Sequence, residues 1–542
     1  MGSFWSYLNT MFMKRLFSFV VAVAATLSAS AQIALGEKGG VISGSVESNN
    51  IVYFNDSALS TPAPDTHFGS NDYIKVDYAV DRFSAGIQVE TYLPALQGYE
   101  IGSYGNQFKV LVPMVYAQWQ DKSYSVTVGN LYDQFGNGLI FRTFEDRQLG
   151  FNNTLLGVRA TANIGNYVAV KALYGRPRLY TNYKSCWAGG ADLSLSLGDM
   201  FGMKQGSLFI EGSYANRMDD QIGKATDNLL NMYSARLNMD IAGVTLRGEY
   251  AGKGIDKSNA SNSSDKGKAI YGELGYSVGN FSFTAMGRVL DKMGTPLCAT
   301  GNGTGNTLNS LPALTRQYPY MLANLNPYQV NVEGEVGGQA DFYYSYRSKT
   351  NRYRYWNIHA NYSTYYTLRN SQSKSGNRER LWQDINVDVE RQWGKKLKTT
   401  LLYSFQEWNP YHGYHHRTYV SNIFVADVQY KFNRKTSMRV EAQYLLSGEY
   451  EGDWVAGLVE FNLAPKWSFF VSDMYNIGRT DRNGEYKGTK KNYYSVGGSY
   501  TIKRTRIQLS YGRNRAGFIC SGGVCRYSPE YNGINIAVTS SF

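Results

Sequence analysis

The residues Val244-Thr245-Leu246-Arg247-Gly248-Glu249-Tyr250 decide the fold class, because apolar and polar side chains alternate along them. One face of this segment carries Val, Leu, Gly and Tyr, and the other carries Thr, Arg and Glu. Alternation with a period of two is typical of a β-strand with one apolar and one polar face. The pattern recurs at Ile74–Tyr78, Val428–Phe432 and Ile507–Tyr511, so we expect an all-β fold.

Segments of this kind predict about 24 strands, with a range of about 22 to 26. They are expected to begin near residues 41, 71, 82, 106, 122, 155, 166, 189, 206, 230, 243, 267, 280, 336, 356, 383, 395, 419, 436, 453, 466, 490, 504 and 529. The connections after even-numbered strands are mostly tight, as at Ala242-Gly243. Those after odd-numbered strands are longer, as at 55–70, 133–154, 253–266, 292–335 and 477–489.

This alternation of connections is typical of a transmembrane, antiparallel, up-and-down β-barrel with short periplasmic turns and long outer loops. A water-soluble β-propeller is the alternative, but it would show a repeated motif about every 40 to 50 residues. We find no such repeat. The sequence therefore predicts a barrel in the outer membrane of a Gram-negative bacterium.

Composition excludes a helical membrane protein. Aromatic residues make up 15% of the chain, yet the mean hydropathy is −0.38. Beyond the N-terminal region there is no apolar run of about 18 residues, the length that a membrane-spanning helix needs.

The net charge of +12 comes from basic residues spread along the chain. We therefore expect no nucleic-acid partner, and expect anionic solutes, membrane lipids and lipopolysaccharide phosphates as electrostatic partners.

The N-terminal residues predict export. Lys14 and Arg15 precede the apolar stretch 16–27, and the small residues 29–31 follow it. This is the pattern of a secretory signal peptide, and a retained membrane anchor is the alternative. We interpret the residues before Met13 as an over-extended start. Residues 1–31 are thus expected to be removed.

The C-terminal strand gives independent support for the barrel. Ile534, Ile536 and Val538 alternate with polar or small residues, and the chain ends at Phe542. An apolar last strand that ends in an aromatic residue resembles the signal read by the bacterial barrel-assembly machinery. We therefore interpret residues 32–542 as a single outer-membrane barrel domain.

Two stretches, 133–154 and 292–335, do not fit a strand or a solvated loop, because they mix large apolar residues with many charges. The lumen of a barrel of about 24 strands is wide enough to need a plug. We interpret both stretches as inward-folded plug elements; outer loops packed on each other above the barrel are the alternative. The expected lumen network consists of Asp133, Arg142, Glu145, Asp146, Arg147, Arg316, Tyr320, Tyr328 and Glu335.

The cysteines predict a covalent link in the last outer loop. Cys520 and Cys525 enclose four residues, a spacing suited to a turn pinned by a disulfide in an oxidising compartment. Cys186 and Cys298 lie far apart in the sequence, and either pair with each other or stay free.

The histidines offer the one candidate metal site. His412, His415 and His416 form a His-x-x-His-His pattern in a loop, which could hold a transition metal. An aromatic, partly solvated loop is the default interpretation. We expect no cofactor, and an outer-membrane enzyme is the least favoured class because the chain has only five histidines.

Three motifs resemble a family of Bacteroidota outer-membrane proteins of unknown function. They are the stretch from Gly138 to Arg147, the stretch from Arg316 to Tyr328 with its Asn-Pro-Tyr, and Tyr511–Gly517 with Cys520 and Cys525. The resemblance implies the barrel and a Bacteroidota origin, and it suggests association with thioredoxin-fold lipoproteins of the same envelope. It implies no catalytic residues. The leading hypothesis is a plugged scaffold or component of an envelope complex for surface protein transport or assembly; the alternative is a channel for polar or anionic solutes.

Overall fold

The computed structural model describes most of the chain, namely residues 33–34, 39–104, 108–109, 113–219, 228–257, 266–351, 353–368, 376–481, 483–521 and 524–542. The expected signal peptide at 1–31 lies outside the described residues. Two short helices occur in the described part, α1 (Ile101–Tyr104) and α2 (Leu197–Met200). Neither of these helices is long and apolar enough to cross a membrane.

Twenty-four strands form the main sheet of the described chain. In order they are β1 Val41–Phe54, β2 Phe68–Val80, β3 Phe83–Tyr92, β4 Met114–Gln120, β5 Tyr124–Leu131, β6 Leu155–Ile164, β7 Val168–Leu179, β8 Trp187–Ser196, β9 Ser207–Met218, β10 Leu229–Ile241, β11 Val244–Lys253, β12 Gly267–Val278, β13 Phe281–Asp291, β14 Gly334–Arg347, β15 Tyr355–Thr367, β16 Arg380–Gln392, β17 Leu397–Trp408, β18 Tyr419–Lys431, β19 Thr436–Leu446, β20 Trp454–Leu463, β21 Trp467–Asn476, β22 Asn492–Ile502, β23 Thr505–Asn514 and β24 Tyr531–Ser541.

Eight further short strands lie outside this series. Ile33–Ala34 pairs with β1 and Asn182–Tyr183 pairs with β7. The other six form three small hairpins in the long connections: Glu145–Asp146 with Phe151–Asn152, Arg479–Thr480 with Tyr486–Lys487, and Gly517–Ser521 with Val524–Ser528.

The sheet closes on itself, because each strand pairs antiparallel with the next and β24 pairs with β1 from Ser45–Ser541 to Phe54–Asn532. The last residue completes the closure: the amide of Phe542 donates to Gly44, and that of Gly44 donates back. A side chain at Gly44 would collide with the Phe542 ring, so glycine leaves room for the buried C-terminal aromatic. The expected all-β, closed antiparallel barrel is confirmed.

The two faces of the sheet follow the alternation in the sequence. On β11, Leu246 and Tyr250 are 37% and 44% exposed, whereas Glu249 between them is 3% exposed. Apolar side chains thus point out of the barrel and polar side chains point in, the reverse of a soluble protein and the arrangement that a bilayer requires. At the end of the barrel opposite the long connections, tight turns join the strands. At Ala242-Gly243 both residues have the positive φ of a type I′ hairpin.

The fourth strand is short and follows a proline. The structure describes this strand from Met114, and Lys109 forms an isolated bridge with Tyr92; the expected start near residue 106 lies outside the described residues. Pro113 precedes the strand and has no amide hydrogen to donate to the ladder.

Candidate functional site

Two long connections contact the polar inner face of the barrel. We call them the first inner segment (132–154, between β5 and β6) and the second inner segment (292–333, between β13 and β14). Phe135, Ile140 and Phe141 of the first segment have no exposed surface. They belong to one buried cluster with side chains from strands β5 to β13. Hydrophobic burial thus holds the first segment against the wall.

Ion pairs anchor the first inner segment at both of its ends. Asp133 accepts hydrogen bonds from Arg159 on β6 (3.2 Å) and Lys171 on β7 (2.6 Å). At the other end Arg147 pairs with Glu47 on β1 at 2.8 Å and with Glu145 at 3.2 Å. The charges that the sequence concentrates in this segment therefore have partners on the wall as well as within the segment.

A glycine turn fits the first segment against β10 and β11. Gly136 has a φ of 52°, which favours glycine, and a side chain there would collide with Arg236 and Glu249. The amide of Asn137 donates to the Glu249 carboxylate at 3.0 Å. The backbone of the first inner segment can therefore lie close to the wall, because glycine has no side chain between them.

The two inner segments are hydrogen-bonded to each other. Two backbone bonds run from Arg142 to Leu308 and from Ser310 to Gly138, both at 2.8 Å. The amide group of Asn309 adds two bonds of 2.8 Å, to the carbonyls of Leu139 and Met293. Because Asn309 is only 3% exposed, these bonds are shielded from water. The segments therefore form one connected body.

Buried charges fix the start of the second inner segment. Arg217 on β9 pairs with Asp256 at 2.8 Å, and their side chains are 1% and 0% exposed. The same guanidinium donates to the carbonyl of Pro296 at 2.7 Å. Lys253 donates to the carbonyl of Gly294 at 2.7 Å. The wall therefore presents its cations to the carbonyl groups of the segment.

A second buried pair fixes the end of the same segment. Arg288 on β13 pairs with Glu335 on β14 at 2.6 Å, with side chains 2% and 0% exposed. Arg288 also donates to the carbonyl of Pro312. The hydroxyl of Tyr328 and the amide of Asn331 donate to the same Glu335 carboxylate. Two of the expected network residues, Tyr328 and Glu335, are thus brought into direct contact.

The middle of the second inner segment crosses to the far wall. The amide of Leu322 donates to Gln443 on β19 at 2.9 Å, and Gln406 on β17 donates to the carbonyl of Ala323 at 2.8 Å. Leu322 has no exposed surface. Tyr320 belongs to the apolar cluster around it, and burial raises the pKa of Tyr320 to about 12.

Arg316 meets a separate polar cluster on β14 to β16. Its guanidinium lies 3.0 Å from Nε2 of His359 and 4.9 Å from the ring of Tyr318. His359 sits between the carboxylates of Asp341 and Asp388, each at 2.9 Å. The contacts of Arg316 are thus separate from those of Asp133, Arg147, Tyr328 and Glu335.

Sequence reasoning missed the wall residues of these clusters. The pair Arg178–Glu90 joins β7 to β3 with both side chains fully buried; Arg217 and Arg288 on the wall were also missed, as was Asn309 in the second inner segment. Charged side chains on the polar face of a strand look alike in the sequence, whether they meet water or a segment. The signal available in the sequence was a long connection rich in Pro and Gly, whose carbonyl groups can accept hydrogen bonds from the wall.

The cysteines and histidines are arranged as follows. Cys520 and Cys525 form the expected disulfide, with an S–S distance of 2.07 Å. Cys186 and Cys298 are buried free thiols, and a hydrogen bond with Cys298 raises the pKa of Cys186. The described residues contain no group of three metal-ligating side chains.

The three loop histidines make separate contacts. His412 lines a cavity at the end of the barrel that carries the long connections, and the ring of His415 lies 5.0 Å from the ring of Tyr411. Nδ1 of His416 lies 2.5 Å from a Glu379 carboxylate oxygen. The structure thus gives each imidazole its own surroundings.

These features define a transmembrane β-barrel whose long connections return to its inner face. The chain belongs to a family of unknown function, DUF6029, whose model matches residues 13–542. No curated protein matches the chain.

Solved structures with distant likeness include outer-membrane barrels. They include the siderophore receptor PirA from Pseudomonas aeruginosa (9% identity, 92% of this chain and 80% of that chain, TM-score 0.40). The P pilus usher PapC translocation pore has 10% identity, with 92% and 99% covered and a TM-score of 0.42. Pseudomonas aeruginosa OpdK with vanillate has 8% identity, with 92% and 98% covered and a TM-score of 0.35. At this distance they carry no argument about function.

Proposed function

We propose that the protein is a plugged barrel of a Gram-negative outer membrane, of Bacteroidota type, that acts through partners. It serves as a scaffold or component of an envelope complex for surface protein transport or assembly, with an envelope lipoprotein as companion. Its apolar exterior contacts membrane lipids and lipopolysaccharide, and the proposal assigns no catalytic step. The observation that carries it is the set of buried ion pairs that hold the inner segments.

Buried pairing is the opposite of what a conducting constriction needs. Arginines that select anions must face water in the pore. Arg217 and Arg288 are instead almost fully buried, each against a carboxylate that is itself buried. Removing such charges from water is costly unless they are paired and hydrogen-bonded, so they stabilise one fixed position of the segment. A fixed body in the lumen leaves partner binding as the role of the barrel.

Conductance in planar bilayers tests the plug directly. We expect the purified barrel to insert without steady current. A variant in which residues 134–153 are replaced by a short Gly-Ser linker should conduct, which controls for insertion. Steady open-channel current from the unchanged protein, with no co-purifying protein, would contradict the scaffold proposal.

Purification in gentle detergent tests the partner. We expect a lipoprotein to co-purify in a stoichiometric amount from the native membrane. A variant with a charge reversal on an outer or periplasmic connection should lose it, whereas the lipid-facing variant Leu401→Ala should keep it. A pure barrel without companions under all extraction conditions contradicts the proposal.

A channel for polar or anionic solutes is the alternative, and one observation favours it. Two cavities, of about 380 and 240 Å³, lie beside the inner segments. The larger is lined by Lys75, Arg147 and Arg159, and the smaller by Arg142 and Arg288. If these cavities joined into a path, the current should be anion-selective, which the reversal potential in a salt gradient measures.

A further inference from the structure

A separate cavity of about 390 Å³ lies at the outer mouth, on the side of the barrel formed by β16 to β24. The second inner segment forms its floor, and the connections after β17, β19, β21 and β23 form its walls. Its aromatic lining includes Tyr328, Trp408, Tyr450, Phe518 and Tyr527. The volume lies within the range of about 300 to 1,000 Å³ that is typical of small-molecule sites.

The disulfide-linked hairpin supplies one wall of this cavity. Phe518 and Tyr527 face each other across the hairpin with ring centroids 5.5 Å apart, and they are 43% and 54% exposed. The bond between Cys520 and Cys525 ties the two strands that carry these rings. The aromatic wall is therefore held in place although it is open to the outside.

The charged groups of the cavity are already paired. Arg515 lies 3.0 Å from Glu451, and Lys491 lies 3.6 Å from Glu530. Burial raises the pKa of the Glu530 carboxyl, but the amide of Ser60 and the Lys491 ammonium outweigh burial and lower it. Glu530 is thus ionised at neutral pH, and the lining offers no unpaired charge to an ionic ligand.

Two amide side chains have unused hydrogen-bonding capacity. Asn326 and Gln329 of the second inner segment line the cavity and are half-buried. Neither side chain makes a hydrogen bond within the described part of the chain. Each offers both a donor and an acceptor to a ligand, and a pure hydrocarbon would leave these groups unsatisfied.

We propose that the cavity binds a neutral saccharide. The C–H faces of a sugar ring pack on aromatic rings, and its hydroxyl groups can both donate to carboxylates and pair with amides. An ionic ligand would have to break the Glu451–Arg515 or Glu530–Lys491 pair. The inference is independent of the scaffold proposal, because it concerns the outer mouth and not the lumen.

Isothermal titration calorimetry tests the site on the full barrel in lauryldimethylamine oxide, a detergent without a sugar headgroup. The probes are maltotriose, cellotriose, mannotriose and chitotriose, compared with trigalacturonate and trialanine. We expect saturable binding of at least one neutral trisaccharide. Truncation of an aromatic contact, in Tyr527→Ala or Trp408→Ala, should weaken it about tenfold.

Tyr414→Ala is the matched control, because Tyr414 is an outer-loop tyrosine, 59% exposed, that does not line the cavity. Its affinity should equal that of the unchanged protein. Heat-dependent migration in gels shows that each variant is folded, and the exposed position of Tyr527 makes its truncation safe for folding. Binding of none of the neutral probes, preference for trigalacturonate or trialanine, or equal affinity in Tyr527→Ala would overturn the proposal.

Discussion

The two sides of the barrel hold the second inner segment by different chemistry. On the charged side, β9 to β13, Arg217 and Arg288 bind its carbonyl groups from within buried ion pairs. On the aromatic side, β16 to β21, Leu322 and its neighbours make apolar contacts and amide hydrogen bonds. Paired charges fix position and direction, whereas apolar contacts mainly fill volume. Ion pairs therefore fix the position of the segment on the charged side, and apolar packing holds it on the aromatic side.

The largest expected effect comes from breaking a buried ion pair on the charged side. Arg217→Ala leaves Asp256 buried beside an empty space, which should lower the free energy of unfolding by about 3 to 5 kcal/mol. Urea titration of the barrel in detergent micelles measures the loss. The control is Arg82→Ala, which removes the 2.5 Å pair with Asp121 at a position where Arg82 is 47% exposed.

The exposed pair should cost less than about 1 kcal/mol. The double variant Arg217→Met with Asp256→Leu should recover much of the loss, because it removes both charges together. If Arg217→Ala and Arg82→Ala destabilised the barrel equally, the contrast between buried and exposed pairs would be wrong.

The next effect concerns packing on the aromatic side. Leu322→Ala creates a cavity at a fully buried position and should cost about 3 kcal/mol. Leu401→Ala removes the same atoms from a lipid-facing side chain that is 60% exposed, so its loss should be much smaller. Equal midpoints in the same urea titration would show that the second segment does not pack on this wall.

A smaller effect is expected where the two inner segments meet. Asn309→Ala removes the hydrogen bonds to Leu139 and Met293, and should cost about 2 kcal/mol. Hydrogen exchange of the first inner segment should also become faster. Exchange that stays as slow as in the unchanged protein would mean that the backbone bonds alone join the segments. Ser48→Ala, a buried change on β1, controls for general loosening.

The smallest effect on stability should come from the outer hairpin. The double change Cys520→Ser with Cys525→Ser opens a link between two strands that do not pair with the barrel sheet, so the unfolding midpoint should barely move. After mild reduction of whole cells, the unchanged protein should react with an impermeant maleimide at these thiols. Labelling only from the periplasmic side contradicts the orientation that we infer.

Much of the fold could be predicted from alternation alone. The predicted and observed starts of β1, β6, β12, β18 and β19 coincide, because lipid and water impose opposite demands on successive residues. The predicted start of the fourth strand near residue 106 lies outside the described residues. The two inner segments were recognisable as unusual because their mixture of bulky apolar and charged residues fits neither lipid nor open water.

The partners within the candidate site could not be predicted. Arg217 on β9 meets Asp256 in the connection after β11, across 39 positions of sequence, and Asn309 meets Leu139 across 170 positions. Which polar wall position faces a segment and which faces water depends on how far each connection folds back. Sequence spacing contains no record of that distance.

The sequence by itself determined the strand pattern, the side of each strand that faces lipid, the alternation of short and long connections and the closing role of Phe542. These properties are local, because they depend on each residue and its near neighbours along a strand. Only the tertiary structure decided which charges pair, on which side of the barrel ion pairs fix the second inner segment, and where an aromatic cavity stays open. Those properties depend on contacts between residues far apart in the chain, whose energies arise only once the barrel has closed around its inner segments.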